Sequence, residues 1–195
     1  MTGCASAGPE ARTTEPLYVF EPPSESELAA IKHPMIREAL LDMMERDQRA
    51  RRSSRLADDE NALRILTEID RKNTAQMHQI VGENGWPTIS AVGSDGAKAA
   101  WLLVQHADLD VGFQRQCLQL MEAELGRGEV YPANVAYLTD RVLVNEGKKQ
   151  EYGTQFYSVN GTWEPRPIRN VRHVDKRRKR MGLSTLEEYR ELMKA

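Results

Sequence analysis

Cysteine is scarce in this chain: two in 195 residues, Cys4 and Cys117. Cys4 lies in a Pro- and Gly-rich start and Cys117 in a helical apolar pattern. That leaves neither a disulfide framework nor a zinc site, and Cys117 reads as a small buried hydrophobe. No run of about 18 apolar residues occurs, so nothing in the sequence spans a membrane as a helix. Neither charge dominates: 27 basic and 29 acidic residues leave a formal charge of −2, which removes a global field drawing the chain to nucleic acid or an anionic membrane. No Gly-rich phosphate loop, dinucleotide fingerprint, kinase signature or HExxH is present, and "GSDG" at 93–96 is a helix cap and a weak anion site at most. No Ser or Cys sits in a nucleophile motif, so a covalent intermediate is not indicated.

What is present suits one soluble domain with a real core: 40% hydrophobic and 29% charged residues. Residues 1–23, rich in Pro, Gly, Thr and Glu, read as a disordered N-terminal arm. Residues 24–195 read as a single mainly α domain of six to eight helices with one small β-hairpin at about 152–165. "MTGCASAG" resembles the cleavage box of a lipoprotein without the apolar segment that should precede it. As written, the chain is expected in the cytoplasm; a start further upstream would instead make it lipid-anchored at Cys4.

Local signals place the elements. Ser24 and Glu27 form a capping box. Pro34 opens a helix over about 35–55, and Asp58 or Asp59 caps another that ends at Gly82 and Gly85. Ser94 caps a helix from 95 to about 107, Asp110 caps the next, and Pro132 opens the one ended by Gly147. Asn160-Gly161 between strand-like flanks predicts a type I′ turn pairing Val159 with Thr162 and Ser158 with Trp163. Ser184 and Glu187 predict a second capping box. The basic run "DKRRKR" at 175–180 reads as the solvated face of a short helix.

The chemistry-bearing residues are polar groups on greasy faces. Residues 99–104 are apolar all round, which marks a central helix, and Gln105 and His106 follow directly. Asp140 and Arg141 precede Val142, Leu143 and Val144. Asp70, Thr74 and His78 share one helix face with Asn73 beside them, and Asp47, Gln48 and Arg51 end an apolar stripe. Thr154 and Gln155 follow Gly153 at the hairpin. Each has an ordinary reading: Asp47–Arg51 alone is a surface pair, His106 alone a satisfied core histidine, Asp140-Arg141 a tie between helix and hairpin. Together they exceed what structural satisfaction needs and are expected to line a buried polar pocket.

These same blocks resemble a bacterial family catalogued only as a domain of unknown function. The resemblance spans about residues 35–192. It is carried by "DQRAR" at 47–51, "DRKNT" at 70–74, "GWPTISAVG" at 85–93, "AAWLLVQHAD" at 99–108, "FQRQCL" at 113–118, "AYLTDRVLVNEGKKQEYGTQF" at 136–156 and "VDKRRKRMGLSTLEEY" at 174–189. It implies a helical fold with a small hairpin and no settled activity. One departure is Lys149, where the family pattern has proline.

Three functions follow as expectations. The first is an enzyme on a small molecule, working by acid–base chemistry of hydrolase, lyase or cyclase type without a cofactor. His106 is the general acid or base, and Asp140 or Asp70 orients it. Arg141 and Arg51 hold an anionic group, and Asp47, Gln48, Asn73, Gln105, Thr154 and Gln155 bind substrate. No metal is assigned, although His106 and Asp110 at i, i+4 with Asp47, Asp70 and Asp140 form a possible metal variant. The second is a small-molecule binding or sensing module using the same pocket. The third is a protein-interaction domain using the arm and the basic run. Nucleic acid is not an expected partner, and the oligomeric state is not legible.

Overall fold

A computed structural model describes residues 23–57, 60–159 and 162–194. The expected N-terminal arm, Cys4 and the caps at Asp58 or Asp59 lie outside them, apart from residue 23. So does the turn at Asn160-Gly161. The described residues hold eight α-helices and one two-stranded antiparallel sheet, a mainly α architecture with a single small hairpin. None of these helices is long and apolar enough to cross a membrane. The chain forms two compact units, one within Val19–Leu138 and one within Thr139–Ala195.

The first unit contains α1 (Glu25–Ala30), α2 (Pro34–Ala57), α3 (Glu60–Asn84), α4 (Ile89–Gln105), α5 (Val111–Ala123) and the first half of α6 (Pro132–Asn145). The capping box at Ser24 and Glu27 forms in full, and Asp110 caps α5 through the Phe113 amide at 2.9 Å. Helix α4 is the hub, packed on α2, α3 and α5. Its run from Ala99 to Val104 is buried on every side, and Leu40 and Met43 of α2, Met77 of α3, and Phe113 and Cys117 of α5 are buried too. The helix expected from 95 is preceded by a short helical stretch from Ile89, and Gly93 breaks the helical path between the two at φ 77°. A Cβ there would come within 3.0 Å of the Ile31 side chain. Beyond that kink Asp95 takes a two-pronged bond from Arg37, at 2.9 and 2.6 Å. Burial pushes the Cys117 thiol up to about 12, so it behaves as the inert hydrophobe its context predicts.

The second unit contains the rest of α6, β1 (Phe156–Val159), β2 (Thr162–Pro165), a 3-10 turn at Val171–His173, α7 (Val174–Arg180) and α8 (Leu186–Lys194). The strand register pairs Val159 with Thr162 and Ser158 with Trp163, as the two-residue loop dictates. Phe156 is buried and packs edge-on against Tyr189 at 5.4 Å. The last capping box sits one residue later than expected: Thr185 and Glu188, not Ser184 and Glu187, exchange the two bonds, at 3.3 and 2.8 Å. The Ser184 carbonyl instead accepts from Arg178 Nε at 2.6 Å.

Candidate functional site

In the first unit, five expected residues meet: Asp47, Gln48, Arg51, Asp70 and His106. Asp47 ends the buried stripe of α2 and is fully buried. It is not the exposed pair with Arg51 that its spacing alone suggests. Both its oxygens lie 3.0–3.1 Å from His106 Nδ1 and 3.2 Å from Arg51 Nε, and Gln48 Nε2 donates to it at 2.9 Å. Arg51 Nη2 reaches across to Asp70 Oδ1 on α3 at 2.6 Å. Arg51 Nε also lies 3.0 Å from His106 Nδ1. The carboxylate decides between these, because it only accepts. Nδ1 therefore carries a hydrogen toward Asp47, and Arg51 Nε–H points to the same carboxylate. A neutral His106 then holds its lone pair at Nε2.

Charge sorts the protonation states. Burial alone would raise Asp47, but the charges and hydrogen bonds of His106 and Arg51 outweigh it and hold Asp47 well below the usual carboxylate range. Arg51 stays charged: burial lowers its affinity for the proton, and the two carboxylates more than restore it. Asp70 goes the other way. Burial, reinforced by the Asp47 and Asp108 charges, pushes it up to about 7 against the pull of Arg51. The Asp47 and Arg51 charges largely cancel, so the carboxyl of this cluster whose proton exchanges near neutrality is Asp70.

Two amides flank this cluster in the chain, Gln105 before His106 and Asn73 one turn after Asp70. Thr74 spends its hydroxyl on the Asp70 carbonyl at 2.7 Å. His78 and Asp110 form their own contact at 2.9 Å, with the imidazole stacked on Phe113. Asp110 and His106 therefore do not share a helix, because α4 ends at Gln105 and Asp110 caps α5. That removes the i, i+4 basis of the metal variant. Asp47, Asp70 and His106 do each offer one ligand atom within 4.8 Å of the others, a donor set suited to a first-row divalent ion. The Arg51 guanidinium already bridges them, and its charge opposes a cation there.

In the second unit, Asp140 is fully buried and accepts from four donors: the amides of Glu151 at 2.8 Å, Tyr152 at 3.0 Å and Thr154 at 2.8 Å, and the Thr154 hydroxyl at 3.0 Å. Burial raises this carboxyl and the donors oppose it; an all-donor shell calls for the ionised form. Arg141 Nη1 donates to Gln155 Oε1 at 3.0 Å, and Gln155 Nε2 to Thr154 Oγ1 at 3.1 Å. Gly153, at φ 70°, lets the turn pass beneath the Ile168 and Leu186 side chains.

Sequence reasoning missed Gln150 and Arg178. Gln150 is fully buried, donates to the Gln155 and Arg166 carbonyls and accepts from the Gln155 amide. Arg178, 1% exposed, binds the Ser184 and Tyr152 carbonyls at 2.6 and 2.8 Å and lies over the Tyr189 ring. Arg177 Nε likewise reaches the Glu151 carbonyl at 2.6 Å. The basic run is thus no purely solvated face. Its two central arginines clamp the turn that enfolds Asp140, and the surrounding charges hid them in the sequence.

Among known families the chain matches one described as "Family of unknown function (DUF6624)" over residues 34–195. No curated protein and no solved structure matches the chain.

Proposed function

The chain belongs to the DUF6624 family, whose function is unknown, and we propose from its geometry that it is an enzyme acting on a small molecule by acid–base chemistry, with His106 transferring the proton. The observation that carries this is the fully buried Asp47 carboxylate 3.0 Å from His106 Nδ1. A carboxylate held at Nδ1 fixes the ring's orientation and tautomer and directs basicity to Nε2. Asp47 therefore takes the orienting role that sequence reasoning gave to Asp140 or Asp70. Asp70, pushed up to about 7, supplies the second proton site, and Arg51 links the two carboxylates. The Cys117 thiol, at about 12, offers no nucleophile, which favours hydrolase, lyase or cyclase steps without a covalent intermediate. Asp140, Thr154 and Gln155 hold backbone and one another, and their role in the proposal is to build the second unit.

The test is untargeted mass spectrometry of a deproteinised cell extract incubated with purified protein. The wild type should deplete a compound and generate a product. His106→Ala and Asp47→Asn, shown folded by circular dichroism, should not. Full turnover by folded His106→Ala would end the proposal. Compounds that raise the melting temperature without any product would make the chain a binding module instead.

A further inference from the structure

Two fully buried glutamines sit at the ends of neighbouring helices in the first unit and fare differently. Gln114 Nε2 lies within 3.1–3.3 Å of three acceptors: the Val104 and Gln105 carbonyls and Asp108 Oδ1. The Gln105 side chain is 0% exposed, and neither its Nε2 nor its Oε1 has a hydrogen-bond partner among the described residues. Asn73 Nδ2, in a residue 4% exposed, is in the same state. Buried polar atoms are nearly always paired, and an unpaired amide is costly. Both residues adjoin the proton-transfer cluster in the chain, Gln105 next to His106 and Asn73 one turn from Asp70.

We infer that Gln105 receives a neutral ligand bearing a cis-amide edge, a C=O and an N–H side by side as in lactams, cyclic imides and ureides. A carboxamide with donor and acceptor both unmet is satisfied in full by one such edge, through two parallel hydrogen bonds. A carboxylate or phosphate offers acceptors only. It would leave Gln105 Oε1 unmet, and the Arg51 guanidinium that could balance its charge is bound to Asp47 and Asp70. The anionic substrate expected from Arg51 therefore gives way to an uncharged one. Naming this ligand a substrate rests on the function proposed above; its binding does not.

The experiment is thermal denaturation and calorimetric titration with hydantoin, uracil and 2-pyrrolidinone, against acetate and inorganic phosphate. The proteins are wild type, His106→Ala, Gln105→Leu and Gln105→Met. At least one cyclic amide should raise the melting temperature of wild type and His106→Ala in a dose-dependent way, and the two anions should not. The Gln105 variants should melt at or above wild type without ligand, since an apolar replacement removes an unpaired amide, and should bind roughly tenfold or more weakly. The inference is overturned if no cyclic amide binds the wild type, if either folded Gln105 variant binds as well as wild type, or if the anions bind instead. Binding by wild type and His106→Ala with no turnover by either sinks the enzymatic reading alone.

Discussion

Replacing Asp140 with asparagine takes one charge and one acceptor oxygen from a buried carboxylate that only accepts. Oδ1 takes the amides of Glu151 and Tyr152; Oδ2 takes the amide and hydroxyl of Thr154 and a longer bond, 3.2 Å, from Tyr152. An asparagine must turn its NH2 to one side. Facing Oδ1's donors it strands the Glu151 amide; facing Oδ2's donors it strands the Thr154 amide. One backbone donor loses its acceptor and the others lose a charged one, each such bond being about 1.5–3 kcal/mol. Relief of the buried charge offsets part of this, for a net loss of about 3 kcal/mol. Hydrogen exchange at the amides of 151, 152 and 154 should then accelerate about 100-fold, with a matching fall in the urea midpoint. Turnover well below the melting temperature should persist, because no reacting atom is assigned there. Unchanged protection at these three amides, or lost turnover in a fully stable variant, would refute the assignment of Asp140 as a structural anchor.

Asp70 predicts a pH dependence of opposite sign to that of an ordinary ion-paired carboxylate. Its folded value, about 7, lies above the ordinary 3.8, so the folded state binds the proton more tightly, and stability falls as pH rises from about 4 to 7 and then levels. The loss is about 2–4 kcal/mol, and urea midpoints at several pH values should show it shrinking in Asp70→Asn. Asp47 works in reverse: held low, it contributes stability above about pH 4 that is lost on acidification. Gly153→Ala should cost about 2–3 kcal/mol, since φ is 70° and the new Cβ would lie 2.6 Å from Ile168 Cδ1; a melting temperature equal to wild type would contradict that geometry.

Much of the architecture is written locally. The Ser24–Glu27 box, the Asp110 cap, the all-round burial of 99–104 and the hairpin register all follow from neighbours within a few residues. Their physics, helical and strand periodicity and orphan amides at helix ends, needs no distant partner. The burial of Asp47, Gln105, His106, Asp140, Arg141, Thr154 and Gln155 was legible too, from polar groups on apolar faces. Which partner each of them finds was not legible. His106 finds Asp47 across 59 residues of sequence, and Asp140 finds the turn at 151–154. Arg178 is buried in a run whose composition says surface, and the last capping box falls on Thr185 and Glu188, one residue beyond its sequence signal. Burial is fixed by repeat spacing along one segment, whereas a hydrogen bond is fixed by how helices are rotated and set against each other. A turn of 100° per residue makes that choice invisible until the helices pack.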